Sequence, residues 1–99
     1  LQHLAKLMRD NPGMRVELRA FTDCVGGEDY NRKLSLRRAE AARGFLVQQG
    51  IKRDRILAFG YGELNPVVDC DCDGTGGSVP CTEDMHAQNR RTEVAIIEK

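Results

Sequence analysis

Residues 14–21, MRVELRAF, alternate strictly: Met14, Val16, Leu18 and Ala20 fall on one face, Arg15, Glu17 and Arg19 on the other. A period of two with one apolar face is a strand buried on one side only, so another element must cover that side. The neighbouring segments supply candidates. LQHLAKLMRD places Leu1, Leu4, Leu7 and Met8 at helical spacing before Asn11, Pro12 and Gly13 stop it. Ser35 is expected to cap a helix over about 36–49, with Ala39, Ala42, Phe45 and Leu46 as its apolar face and Gly50 ending it in the left-handed conformation. RILAFGYG, residues 55–62, is a nearly continuous apolar strand, which predicts an interior position in the sheet. Thr82 is placed to cap a short helix to about Gln88, and RTEVAIIEK is a final strand with Val94 and Ile96 on one face. Helices alternating with strands in this order predict a two-layer α/β sandwich.

With 99 residues the chain is expected to form a single domain over 1–99. Fifteen basic residues balance fifteen acidic ones, which argues against nucleic acid as a partner, since that partner requires a basic footprint. No apolar run approaches the roughly 20 residues of a membrane-spanning helix. The chain opens at Leu1 and not at a methionine, so it reads as a piece of a larger protein, and a missing leader carries no information.

Catalytic patterns are lacking. No G-x-S-x-G, phosphate loop or H-E-x-x-H occurs, and neither His3 nor His86 neighbours a nucleophile in sequence. Cys24 follows Asp23, whose carboxylate would raise a thiol pKa and so disfavour nucleophilic use. The chain is therefore expected not to be an enzyme and to need no cofactor. Asp23 does stand out, on TDCVGGEDYN, residues 22–31, which is expected to be a glycine-containing loop just past the first strand, where ligands collect in α/β sheets. Arg37 and Arg38 fall in the first turn of a helix starting at Leu36. A cation there gains nothing from the helix dipole, so it calls for another reason such as an anion ligand; the alternatives are an ion pair with Asp23 or a solvated side chain.

The other conspicuous stretch is VDCDCDGTGGSVPC, residues 68–81. Asp69, Asp71 and Asp73 with Gly74 match positions one, three, five and six of a calcium loop, but position twelve, which needs a bidentate glutamate, is Pro80. Cys70, Cys72, Cys81 and His86 could alternatively hold zinc, although C-x-C is tighter than the usual spacing. Disulfides among Cys24, Cys70, Cys72 and Cys81 are the third use, and four cysteines allow three pairings.

Five patterns then occur in order: T-D at Thr22–Asp23, G-x-x-x-Y-N ending at Asn31, L-S-x-x-R-A ending at Ala39, G-Y-G-E-x-x-P ending at Pro66, and N-R-R at Asn89–Arg91. Together they resemble the OmpA-like C-terminal domain, a peptidoglycan-binding module of outer-membrane proteins, lipoproteins and motor stators, over about 16–97. The resemblance implies a β-α-β-α-β sandwich with a mixed sheet, whose first strand is missing from this N-terminally truncated chain. It implies a periplasmic location at the outer membrane, as part of a larger protein or complex anchored to the cell wall. Its implied ligand is the meso-diaminopimelate of the peptidoglycan stem peptide. Asp23 would meet the ligand's ammonium and Arg38 its carboxylate, with Asn31, Arg90, Thr22, Val25 and Gly26 lining the pocket. Phe21 stands where the family usually has histidine, with a structural role expected. The cysteine loop resembles a Bacteroidetes-type branch in which the cysteines act as a staple. On that basis Cys72–Cys81 and Cys24–Cys70 are the expected pairs. The runner-up function is a calcium-dependent structural or adhesion module using Asp69, Asp71 and Asp73.

Overall fold

The computed structural model describes residues 1–64, 66–68, 70, 72 and 81–98. Helix α1 (Gln2–Asp10) leads into strand β1 (Arg15–Phe21), helix α2 (Glu28–Gln48), a single 3-10 turn (Arg53–Arg55), strand β2 (Ile56–Gly62), helix α3 (Glu83–Asn89) and strand β3 (Arg91–Glu98). The sheet order is β2-β1-β3. β1 runs parallel to β2 and antiparallel to β3, the mixed sheet that was expected.

β1 is central because its apolar face is the one that must be covered. Val16, Leu18, Leu46, Ile51 and Ile56 form one core with Ala5, Met8 and Met14, so α1 and α2 close the same side of the sheet. Val94 and Ile96 pair with Leu18 and Val16 and share that side, as the sequence predicts. They remain largely exposed, because α2 lies over β2 and β1.

Two expectations are corrected. β2 is an edge strand, not an interior one. Its apolar continuity has separate causes on its two faces. Leu57 and Phe59 on the outer face are half-exposed, while Gly60 on the inner face meets α2 backbone. Ser35 is no cap, since α2 starts at Glu28 with Gly27 as its N-cap. Ser35 is fully buried inside the helix, where its Oγ donates to Arg32 O at 2.8 Å and accepts the Gly62 N–H at 2.8 Å. The start signal is Glu28 and Asp29, whose charges suit a helix N-terminus. The other end behaves as expected, with Gly50 at φ 92° just past the helix.

The end of α1 is held from a distance. Arg55 donates from Nη2 to Met8 O and Asn11 O at 2.8 Å each, and from Nε to Met14 O at 2.9 Å. Carbonyls at a helix C-terminus lack partners in the helix and attract a cation. Arg55→Ala is expected to cost about 2 kcal/mol, since hydrogen bonds to charged groups contribute ~1.5–3 kcal/mol. That corresponds to a melting temperature lower by roughly 10 °C in a domain this small. A thermal melt followed by circular dichroism measures it; a shift under about 2 °C would show that the three carbonyls are satisfied without Arg55.

Candidate functional site

The parallel pairing of β1 and β2 brings their C-terminal ends together at Phe21 and Gly62, and antiparallel β3 begins opposite Phe21 at Arg91. The loop after β1, the N-terminus of α2 and the residue before β3 therefore converge at one end of the sheet, the usual ligand position in an open α/β sheet.

Asp23 is the centre of that end. It is only 8% exposed. Its Oδ1 accepts the Val25 N–H at 3.1 Å, and its Oδ2 accepts Arg90 Nη1 at 2.6 Å. Arg90 uses Nη2 on Glu83, a carboxylate at the start of α3. These acids hold the Arg90 guanidinium above its ordinary pKa, Glu83 more than Asp23. Asn31 is buried in α2 and donates from Nδ2 to Asp23 O at 3.2 Å and Val25 O at 3.1 Å. It thus pins the loop backbone to the helix. Thr22 donates its hydroxyl to Asp23 O at 2.8 Å and its N–H to Gly62 O at 2.7 Å. Gly26, at φ 98°, lets the loop turn over Asn31. Val25 is exposed at the rim.

Asp23, Asn31, Arg90, Thr22, Val25 and Gly26 are thus neighbours. Arg38 stands apart from this network. It lies seven residues beyond Asn31 in α2, about two turns and ~10 Å along the axis, within about 20° of the same face. It is exposed and makes no hydrogen bond or ion pair among the described residues. Arg37 points about 100° further round the helix. The expected reason for Arg38, a position against the helix dipole, is corrected: α2 begins ten residues earlier, so Arg38 lies well inside it. What remains is a guanidinium without a partner among the described residues, on the helix face that carries the Asp23 loop.

Phe21 is buried, stacked on Tyr61 at 5.3 Å, with the Arg91 guanidinium 4.0 Å from its ring centre. With Tyr61 it fills the outer face of the sheet, next to Thr22 in the chain.

The cysteines pair as Cys24–Cys72 and Cys70–Cys81, which corrects both expected pairs. Asn89 explains the choice. Buried before β3, it accepts the Val68 N–H at 2.9 Å, donates to Val68 O at 2.8 Å and lies 3.6 Å from Cys70 Sγ. This turns Cys70 toward α3 and Cys81, and leaves Cys72 to reach Cys24. One bridge still ties the insert to the residue beside Asp23. Asp69, Asp71 and Asp73 lie outside the described residues. Sequence reasoning missed Asn89, Glu83 and Ser35 as site-building residues. The N-R-R pattern contains Asn89, but nothing in sequence announces its partner 21 residues away.

A mixed three-stranded sheet covered by helices, with a carboxylate held at the strand ends, defines a small α/β domain with a candidate site at that end. The chain belongs to the OmpA family, whose model matches residues 1–76. It is 38% identical to outer membrane porin F of Pseudomonas fluorescens over 97% of this chain and 26% of that protein. It is 31% identical to the probable lipoprotein YiaD of Escherichia coli K12, over 97% of this chain and 39% of that one. The chain thus spans only a quarter to two fifths of these relatives. Among solved structures, the peptidoglycan-associated lipoprotein of Burkholderia pseudomallei superposes with a TM-score of 0.81 at 27% identity, over 96% of this chain and 72% of that one. The C-terminal domain of Helicobacter pylori MotB shares the fold, with a TM-score of 0.76 at 21% identity over 96% of this chain and 67% of that one.

Proposed function

We propose that this domain binds peptidoglycan non-covalently, through the free amino-acid end of meso-diaminopimelate in the stem peptide. It thereby anchors a larger outer-membrane-associated protein or complex to the cell wall from the periplasm. No chemical step is involved. The observation that carries the proposal is a fixed, nearly buried Asp23 together with an Arg38 that has no partner among the described residues, on the helix face that holds the Asp23 loop. A zwitterion offers an ammonium to the carboxylate and a carboxylate to the guanidinium, which grips it with two parallel hydrogen bonds. Asp23 keeps acceptor capacity for the ammonium, because an ionised carboxylate offers about four lone-pair sites and two are in use here. The relative named for its association with peptidoglycan supports the same class of ligand.

Lysine differs from diaminopimelate by the missing distal carboxylate. Calorimetric titration should give tight binding of a diaminopimelate muropeptide and roughly 10–100-fold weaker binding of its lysine counterpart, the loss expected for one charge-assisted contact. Equal affinities for the two would rule out recognition of the zwitterion.

A further inference from the structure

The Nδ1 of His86 is screened from solvent and has no hydrogen-bond partner among the described residues. Its backbone is satisfied: the His86 N–H donates to Thr82 O, and its carbonyl accepts the Arg90 N–H. Buried polar side-chain atoms are nearly always bonded, so an orphaned ring nitrogen needs a reason. Beside the ring lies the Cys24–Cys72 bridge, and a ring nitrogen of His86 and the two sulfurs all fall within 4.8 Å of one another. A disulfide sulfur is a poor hydrogen-bond partner, so the bridge does not satisfy Nδ1, which has no other partner among the described residues. Two thiolates and a neutral imidazole are, in contrast, the donor set of a zinc-class ion.

We infer that Cys24, Cys72 and His86 form a redox-gated site for a borderline-soft divalent cation such as zinc, closed while the bridge is oxidised and open once it is reduced. In the opening step a dithiol gives two electrons and two protons to the Cys24–Cys72 bond. The S–S bond breaks, two thiols form, and the dithiol closes to its own disulfide. The cation then displaces both thiol protons to solvent and takes the imidazole lone pair, with a water completing four-coordination. Zn–S bonds of about 2.3 Å at a tetrahedral angle set the sulfurs about 3.8 Å apart. The two cysteines therefore need to separate their sulfurs by only about 2 Å from the bonded distance, well within side-chain rotation. Two thiolates neutralise the dication, so the partly buried position carries no unpaired charge. The ion would reconnect the same two loops that the bridge connects, keeping the insert tied beside Asp23. This site is separate from the ligand reading of Asp23 and Arg38 and does not depend on it.

The test uses the full chain reduced with a phosphine, titrated with cobalt(II) and then with zinc. Expected are sulfur-to-cobalt charge-transfer bands and the intense visible bands of a tetrahedral site, at one ion per chain, bleached by zinc, with the native circular dichroism spectrum retained. His86→Ala, Cys24→Ser and Cys72→Ser should each weaken binding by at least about tenfold, while Cys81→Ser should bind like the reduced parent. Untreated, oxidised protein should bind no cobalt. The inference is overturned by unchanged affinity in His86→Ala or in either bridge variant, by equal binding to oxidised protein, or by reduced protein that stays unfolded with the ion present.

Discussion

Asp23→Asn and Arg38→Ala should each abolish retention of the domain on insoluble peptidoglycan while leaving the melting temperature within a few degrees of the parent. The asparagine variant isolates charge from geometry. Its side-chain oxygen can still accept the Val25 N–H at the loop turn, where Asp23 Oδ1 sits 3.1 Å away. It no longer offers an anion to Arg90 or to a ligand ammonium. Alanine at Asp23 would also leave the Val25 N–H without that acceptor and so mix binding with folding. Arg38 raises no such difficulty, being exposed and without a partner among the described residues, so its removal takes nothing from the fold. Each substitution would delete one of the two proposed charge-assisted contacts to a small zwitterion, at about 1.5–3 kcal/mol apiece. A site with few other polar contacts then falls below the threshold of a co-sedimentation assay. Arg38→Lys should recover only part of the binding, since an ammonium cannot make the two-pronged grip. Arg37→Ala should behave like the parent, because Arg37 points away from the Asn31 face. Normal retention of both Asp23→Asn and Arg38→Ala would remove these residues from the site.

The sequence and the structure agree most closely where side-chain period decides the outcome. The alternation of residues 14–21 is sufficient to place β1, and the burial of Val16, Leu18 and Ala20 follows it residue by residue. The Thr82 cap is equally local, its Oγ1 accepting the Met85 N–H. Prediction fails where a residue's partner is distant. Ser35 carries the side chain of a helix cap, and only the approach of β2 at Gly62 gives it a different use. Tyr30 and Asn31 lie among glycines and acids that suggest a loop, yet they occupy the first turns of α2. The polar Asn31 is buried there because its amide satisfies two loop carbonyls. Asp23 and Arg90 are 67 residues apart, and their contact exists only because β1 and β3 are antiparallel neighbours. The cysteine pairing depends on Asn89 in the same way. Periodicity and capping therefore reveal the layers, while the site is assembled from the ends of those layers by contacts that no local pattern encodes.

Gly60→Ala should be the most damaging small substitution in the chain. Replacing glycine by alanine in an extended segment ordinarily helps by about 0.4–1 kcal/mol, through the lower entropy of the unfolded chain. Gly60 has no positive φ that would forbid a side chain. The obstacle is space. A methyl group at this position would sit 2.2 Å from Leu36 N, 2.6 Å from Leu36 Cα and 2.6 Å from Ser35 Oγ. Two of these atoms are helix backbone, so relief requires α2 to move off the sheet as a body. Such a shift would stretch the bond from Gly62 N to Ser35 Oγ and open the core around Leu46. Overpacking of this kind costs about 1–3 kcal/mol, and the upper end is expected when backbone must give way. A loss of roughly 3 kcal/mol corresponds to a melting temperature some 15 °C lower. A methyl group at Gly44, in the same helix, would meet no atom within 4 Å, so Gly44→Ala should instead raise stability by about 0.5–1 kcal/mol. Opposite signs for the two variants in paired thermal melts would establish that the close approach at Gly60 sets the distance of α2 from the sheet. Because α2 carries both Asn31 and Arg38, that distance also sets the geometry of the proposed ligand site. The Gly60→Ala protein, held below its melting temperature, should therefore bind wall fragments more weakly than the parent despite an unaltered Asp23 and Arg38. Parent-like stability in Gly60→Ala would mean that the helix sits further from β2 than the contact at Leu36 implies.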